Sequence, residues 1–554
     1  MKKIILLFLA ISNIALAQME YTPVDHPVYD FLKRMSLKNV ITGYNSASLP
    51  ISRNKIGNFL REIRDSRDKL SGADRKILDD FLVEYSYDIK KSLSDSYSFF
   101  SDVKSFSVFS DNKQKYLYAY ADSNATFFWD VTGFVSQKGS KADSLGNNSI
   151  GLGELGTRIR GTLFGSVGYY LRMSNGQKLS GKQKDIDYAI NVNPKLKANT
   201  KFRYEGNNFD TYEGYIKYST PGEWLSLVAG KEAMTYGFGY VDKMFLSTNS
   251  VPFSFIRLEA EYKSLQYSFM YGSLKGDSLG RDIMSKSIAT HRLDINLTRG
   301  LRFGFWESIV IADSYFNFTY LNPLSFLRSA DYNAGENQPS NKNNAIMGFD
   351  CEIHPIKDVA LQTTLLIDDL NFSTLFKSPS LDNRFAYQVG VLWTDAFSIP
   401  TLSAAAEYTK LTPFIYTHRT NKSQYANWTL PLGHNLPPNS DEIALKLSAN
   451  IYNRLRVNLT YQHQRSASRV ILHGDTLIAN YGGELNRGDG DVERENKFLD
   501  GDRVDRDIIN FGFVWQPIRQ FFLDFSYKFA NYNLLYNSTK YKDNYFSGTF
   551  RIDF

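Results

Sequence analysis

The last ten residues, Tyr545–Phe554, read Y-F-S-G-T-F-R-I-D-F, and this stretch limits what the whole chain can fold into. Side chains alternate across an extended strand with period two. Phe546, Gly548, Phe550, Ile552 and Phe554 therefore share one face, and Ser547, Thr549, Arg551 and Asp553 the other. A soluble domain seldom ends on an exposed Phe whose whole strand face is apolar. A transmembrane β-barrel does, with apolar residues toward lipid and polar residues toward the lumen. The edge strand of a β-sandwich would show the same alternation over ten residues, so the rest of the chain has to decide.

It repeats the pattern. Ile443, Leu445, Leu447 and Ala449 alternate with Lys446, Ser448 and Asn450. Leu455, Val457, Leu459 and Tyr461 alternate with Arg456, Asn458, Thr460 and Gln462, after a short Tyr452-Asn453 link that fits a hairpin turn. Phe521, Leu523, Phe525, Tyr527 and Phe529 alternate with Asp524, Ser526 and Lys528. Earlier, Ile159, Leu163, Val167 and Leu171 oppose Arg158, Arg160, Thr162 and Ser166, and Leu293, Ile295 and Leu297 oppose Arg292, Asp294, Asn296 and Thr298. About 440 residues from Lys115 onward, at roughly 24 per strand and loop, give about 18 strands, an even number as is usual for bacterial barrels. Long polar interruptions at Gln137–Ile150, Gln177–Thr200, Ser329–Asn344, Thr417–Ser440 and Ser466–Arg506 read as extracellular loops. Aromatic residues make up 15% of the chain, which suits the girdles of a barrel at the membrane interfaces. Mean hydropathy is −0.34, and no apolar run long enough for a transmembrane helix follows the N-terminus. The aromatic C-terminus is also similar to the terminal signal of bacterial outer-membrane barrels, which makes the barrel-assembly machinery an expected partner.

Met1–Ala17 reads as a secretory signal, with Lys2 and Lys3 as the basic n-region, Ile4–Leu16 as the apolar core and Ala15-Leu16-Ala17 as an A-x-A-type cleavage site. The stretch is too short for a membrane anchor, and no Cys follows the cleavage site. A single cysteine, Cys351, excludes an intramolecular disulfide framework and reads as a buried or lipid-facing small residue. The formal charge of +6 falls to +4 without Lys2 and Lys3, and this weak balance in an exported chain excludes nucleic acid as a partner.

Between Gln18 and about Tyr97 the period changes to that of helices. Pro27 stands where a first helical position belongs, and Val28, Phe31, Leu32 and Met35 follow at i, i+3, i+4 and i+7. Ser52 fits an N-cap before the stripe Ile56, Phe59, Leu60 and Ile63. Ile77, Leu78, Phe81, Leu82 and Tyr85 make a third stripe. The expected organisation is a signal at 1–17, a periplasmic helical bundle at 18–100 and an all-β, antiparallel outer-membrane barrel at 101–554.

Motifs that would carry other chemistry lack their context. Gly151–Gly156 matches G-x-G-x-x-G, but a strand rather than a helix follows, over Arg158–Leu171. Gly276–Gly280 matches G-x-S-x-G without the helix of a nucleophile elbow. The seven histidines show neither H-E-x-x-H nor a Cys partner, so no metal site, catalytic residue or cofactor is assigned. The Gly- and Asp-rich stretch from Asp489 to Asp507 has carboxylates that suit Ca²⁺ but lacks EF-hand spacing, and reads as a solvated loop. More telling are aromatic and planar polar residues interleaved along the lumen and outer loops. The lumenal candidates are Arg158, Arg160, Arg257, Arg292, Trp306 and Glu307, and the loop candidates Trp428, His434 and Asn435. Such groups stack on and hydrogen-bond sugars, and they equally line a water-filled pore.

Four stretches, taken in order, resemble the capsule-assembly (Wzi-like) outer-membrane family. The first is Gly230–Leu258, a glycine-rich segment leading into L-S-T-N-S-V-P-F and Arg257. The second is His291–Ile295 with Glu307-Ser308 and Tyr320–Leu324, and the third Asn343-Asn344 with Gly348–Asp350 and Leu366–Asp369. The fourth is Leu432–Glu442, L-G-H-N-L-P-P-N-S-D-E. The resemblance spans nearly the whole chain after the signal. It implies a barrel near 18 strands with a small periplasmic bundle, and a non-catalytic, lectin-like role that holds capsular polysaccharide or exopolysaccharide at the outer membrane. Expected contacts are Arg257, Arg292, Trp306, Glu307, Trp428, His434 and Asn435; expected partners are surface polysaccharide, outer-membrane lipid and lipopolysaccharide, and periplasmic export proteins. The alternative is a porin for small solutes. A barrel hydrolase built on Ser278 is a third reading, which Ser278→Ala would test.

Overall fold

A computed structural model describes residues 17–102, 109, 111–279, 282–334, 342–370, 373, 383–418, 422–473, 476–488 and 497–554. The signal residues before Ala17 and most of the Asp-rich stretch, from Asp489 to Asn496, lie outside the described residues.

The N-terminal stripes fold as helices. Helix α1 spans Val28–Leu37 directly after Pro27, α2 Arg53–Asp65, α3 Gly72–Glu84 and α4 Ser86–Lys90. The Ser52 hydroxyl accepts the Lys55 backbone N–H at 3.2 Å and Ser71 accepts that of Asp74 at 3.1 Å, caps each worth about 1 kcal/mol. Val28, Leu32, Met35, Ile56, Leu60, Ile63 and Leu78 are buried among one another, which is where their spacing places them.

Eighteen long strands then close into one antiparallel barrel. They are β1 Thr126–Ala142, β2 Gly146–Leu163, β3 Val167–Ser180, β4 Asn208–Ser219, β5 Leu225–Glu232 and β6 Phe253–Tyr262. Next come β7 Leu265–Leu279, β8 Asp282–Thr298, β9 Leu301–Ala312, β10 Asn344–Ile356, β11 Val359–Asp369 and β12 Arg384–Thr394. The last are β13 Ser403–Leu411, β14 Ser440–Tyr452, β15 Leu455–Ser468, β16 Asp502–Ile518, β17 Phe521–Leu534 and β18 Thr539–Asp553. Each strand pairs with the next, and β18 closes on β1 from Asp543↔Ala142 to Asp553↔Thr132. The C-terminal strand, whose alternation first pointed to a barrel, is thus the closing seam. A short strand, Tyr118–Ala121, pairs with the start of β1 below that seam.

One end of the barrel carries short turns and the other long connections. The bundle sits on the short-turn end, tied to it by charge. Asp80 takes Arg454 at 2.8 Å and Arg519 at 3.1 Å, Arg34 reaches Asp395 at 3.1 Å, and the Ser52 hydroxyl donates to Glu223 at 2.9 Å. The chain before α1 enters the lumen, where Arg160 pairs with Glu20 at 2.9 Å.

Two sequence expectations are corrected. The segment Arg158–Leu171 is not one strand but crosses a hairpin turn between β2 and β3, with Phe164 and Gly165 at φ 52° and 64°. Leu163 pairs directly with Val167, so the turn preserves the parity of the alternation and leaves no break to read. Gln137–Ile150 is not a long loop, since β1 and β2 run through it to a turn at 143–145. Strand pairing continues there beyond the apolar band, where neither face has to be apolar.

Candidate functional site

Two long connections fold back into the lumen. The β5–β6 connection, residues 233–252, and the described parts of the β13–β14 connection, residues 412–418 and 422–439, fill the half of the barrel bounded by β5–β13. Phe245 of the first stacks on the Trp306 indole at 5.7 Å and 7°, and Tyr236 packs on the same ring at 5.4 Å. Tyr416 and Tyr425 of the second donate to the carbonyls of Met244 and Phe245 at 2.7 and 2.6 Å. The approach is close enough that a Cβ on Gly348 would stand 2.3 Å from the Phe245 ring, so only glycine fits that wall position.

Irregular backbone inside a membrane barrel needs partners for its amides. Wall carboxylates supply them. Asp350 accepts the Phe238 N–H at 3.0 Å, Asp368 that of Tyr416 at 2.7 Å, and Glu407 those of Tyr240 and Val241 at 2.8 and 3.2 Å. Arg292 holds Asp350 at 2.9 Å and Asp294 at 2.6 Å, all three buried. Sequence reasoning assigned no role to these acids, although Asp350 and Asp368 stand inside the quoted stretches. Their signal was an acid after an apolar residue on a lumen-facing parity, Phe349-Asp350, Ile367-Asp368 and Ala406-Glu407.

The expected contact residues divide by this geometry. Arg257, Arg292 and Trp306 face the lumen and are at most 1% exposed, with their surfaces taken by the chain itself. Arg257 lies over the Tyr21 ring at 5.1 Å and beside Glu259 at 3.1 Å, and Arg292 over Phe245 at 5.8 Å. Glu307 is not lumenal. Trp306 points inward, so the next residue points out, and Glu307 instead meets His291 at 2.7 Å on the outer wall. His434 is buried, its Nδ1 accepting the Leu436 N–H at 3.2 Å. Asn435 is exposed, anchored by its own N–H to Asp242 at 2.9 Å. Of the further lumenal candidates, Arg158 pairs with Asp130 at 2.8 Å and Asp553 at 2.7 Å.

Trp428 is the aromatic candidate that remains presented. Ala426–Asn427 pairs with Leu430–Pro431, leaving Trp428 and Thr429 as the two residues of a tight hairpin at φ 55° and 67°. Two successive non-glycine residues in the left-handed region store strain that the surroundings must hold. The Asn427 side chain does so, accepting the Lys275 N–H at 2.9 Å and donating to the Val251 carbonyl at 3.1 Å. The Trp428 N–H in turn donates to the Lys275 carbonyl at 3.1 Å. The indole stands half-buried at the tip.

The other half of the lumen, along β14–β18 and β1–β3, holds a cavity of about 760 Å³ above the bundle. Its lining mixes apolar groups, among them Phe31, Ile77 and Phe81 of the bundle and Phe134 and Phe522 of the wall, with the charged Arg158, Arg172, Arg456, Arg551, Glu154, Asp524 and Asp553. Gly151–Gly156 lies within β2, and Gly276–Leu279 ends β7, so neither motif opens a helix. Among the described residues no three His, Cys, Asp or Glu side chains are grouped to hold a metal, and no helix is long and apolar enough to cross a membrane.

Residues 134–485 match the family model for the capsule assembly protein Wzi. Among solved structures, the chain is similar to Wzi of Escherichia coli, described as an outer-membrane, carbohydrate-binding β-barrel involved in group 1 capsule assembly. That likeness has a TM-score of 0.57 at 13% identity and covers 96% of this chain and 99% of the other. A weaker likeness, TM-score 0.41 at 9% identity, covers 77% of this chain and 95% of OprD of Pseudomonas aeruginosa. No curated protein matches. The chain belongs to the capsule assembly protein Wzi family, as an outer-membrane barrel with a role in the capsule.

Proposed function

We propose that this barrel is a non-enzymatic, lectin-like protein that retains capsular polysaccharide or exopolysaccharide at the cell surface. The observation that carries the reading is the pairing of a half-filled lumen with a rigid aromatic tip. Chain occupies the lumen along β5–β13, and Trp428 is held in a strained hairpin at the long-loop end. A flat indole offers a stacking face to sugar C–H surfaces, with exposed Asn435 on the same connection as a hydrogen-bonding group. Individually weak contacts add up along a polymer through effective concentration. In this reading Met1–Ala17 is removed on export, the bundle is periplasmic, and lipopolysaccharide, the barrel-assembly machinery and periplasmic export proteins are the further partners.

The test is binding of the detergent-solubilised protein to the producing organism's own surface polysaccharide, by pull-down or calorimetry. Binding weakened by Trp428→Ala supports the reading. Absence of binding together with stable single-channel conductance in a planar bilayer would replace it with the porin.

A further inference from the structure

The outer wall of the barrel is not bare all the way round. On β14, the outward residues Ile443 and Leu445 are 50% and 46% exposed, as a lipid-facing surface requires. On β7–β9 the outward residues Phe269, Tyr271, His291, Glu307 and Ile309 are all buried. Their cover is the chain from Asp313 to Ala334, which leaves the top of β9, turns back down the outside of the wall and ends in helix α5, Leu327–Ala334.

The wall carries polar groups where this cover needs them. Glu307 accepts the N–H groups of Leu327 and Arg328 at 2.9 Å each, so its carboxylate caps the first turn of α5 from the barrel side. Tyr271 accepts the Asn317 N–H at 2.9 Å, and the Tyr267 hydroxyl donates to the Pro323 carbonyl. Phe326 packs on Phe305 at 6.0 Å, seven residues below the end of β9 at Ala312. At about 3.3 Å per residue and a strand tilt near 40°, this places Phe326 roughly 18 Å below the top of that strand.

The far side of the cover is apolar. Between Tyr315 and Tyr332 the exposed residues are Tyr315, Phe316, Phe318, Leu324, Phe326 and Tyr332 with the uncharged Thr319, Asn322 and Ser329, and the one charged group near that face, the half-buried Arg328, lies over the Tyr332 ring at 5.7 Å. The β3–β4 connection at the same end exposes Lys182, Lys184, Asp187, Lys201 and Glu205 instead, as chain facing water does. We propose that Tyr315–Tyr332 is a lipid-embedded skirt, sunk in the outer leaflet of the membrane with its aromatic face among the acyl chains. Irregular chain is excluded from hydrocarbon unless its amides find partners. Glu307 and Tyr271 take those of Leu327, Arg328 and Asn317, the Asn317 and Asn322 side chains take those of Thr319 and Leu324, and carbonyls within the segment take those of Tyr320, Leu321, Ser325 and Ala330. Aromatic residues are also those favoured at the boundary between headgroups and acyl chains. The skirt widens the barrel's grip on one leaflet at one sector.

The experiment uses the full chain with Cys351→Ala, reconstituted in phosphatidylcholine vesicles and carrying one nitroxide on Leu324→Cys. Collision of the label with oxygen and with a water-soluble nickel chelate is compared with labels on Leu445→Cys, in the bare wall, and Asn537→Cys, on the exposed β17–β18 turn. The expected result is an oxygen-to-nickel ratio at Leu324→Cys like that of Leu445→Cys and several-fold above that of Asn537→Cys. A ratio matching Asn537→Cys would overturn the proposal. So would dipolar broadening that disappears on dilution with unlabelled protein, which would assign the face to a second copy. Glu307→Ala, with barrel folding checked by heat-modifiable mobility, is expected to shift the label toward the aqueous ratio; an unchanged ratio would remove Glu307 as the clamp.

Discussion

Trp306 is fully buried against Phe245, whereas the Trp428 indole is only half-buried at a hairpin tip. The two residues therefore separate stability from binding. Trp306→Ala leaves a cavity in the packed half of the lumen and is expected to cost about 3–5 kcal/mol, read as a lower urea midpoint for barrel unfolding in lipid. Trp428→Ala is expected to leave that midpoint unchanged and to weaken polysaccharide binding about fivefold per contact, the equivalent of about 1 kcal/mol for one aromatic face. Asp350→Ala belongs with the first class. It strips a partner from the buried Arg292 guanidinium and from the Phe238 N–H, and unfolding measurements should show a loss of about 3 kcal/mol or more. At this scale the residue types were legible in the sequence and their accessibility was not. Period two put Arg292 on the lumenal face, and it also forbids adjacent Trp306 and Glu307 from sharing that face, but nothing in a strand pattern reports that chain from elsewhere in the fold will cover the inward residues.

The helical bundle makes its own prediction. Burial alone raises the Glu84 carboxyl, but His26 at 2.8 Å, with Arg53 and Arg519 nearby, outweighs it and holds the group at about 2. A depressed carboxyl stabilises the fold above its unfolded value, about 4.3 for Glu, and loses that contribution as pH falls toward the folded value. Asp74, held down against its burial by Arg34 and Lys38, acts in the same direction. The bundle is therefore expected to loosen between about pH 4.3 and pH 2, seen as faster proteolysis within residues 18–100, and Glu84→Gln should remove part of that dependence. The helices themselves were readable, because a cap at Ser52 and a stripe at i, i+3 and i+4 are local. The β2–β3 turn was not, because a turn that preserves parity looks like uninterrupted strand.

For the whole molecule, the packed lumen along β5–β13, together with the bundle that lines the short-turn end of the remaining cavity, predicts no large steady conductance in a planar bilayer. Replacing residues 238–250 with a short Gly-Ser connection should raise it, since the Phe245 plug goes with that segment. The antiparallel barrel, its approximate size and the aromatic terminal strand were determined by the sequence, because a membrane barrel must alternate grease and polarity along every strand and the bilayer enforces it, while the exact count of eighteen came from the closed strand pairing. The ordered stretches that resemble the Wzi family were likewise legible in the sequence. What only the tertiary structure decided is the disposition of the long connections. Two turn inward onto Asp350, Asp368 and Glu407, and one turns outward onto Glu307. Each choice rests on backbone amides finding carboxylates on distant strands, and that complementarity has no period, no fixed spacing and no local signature.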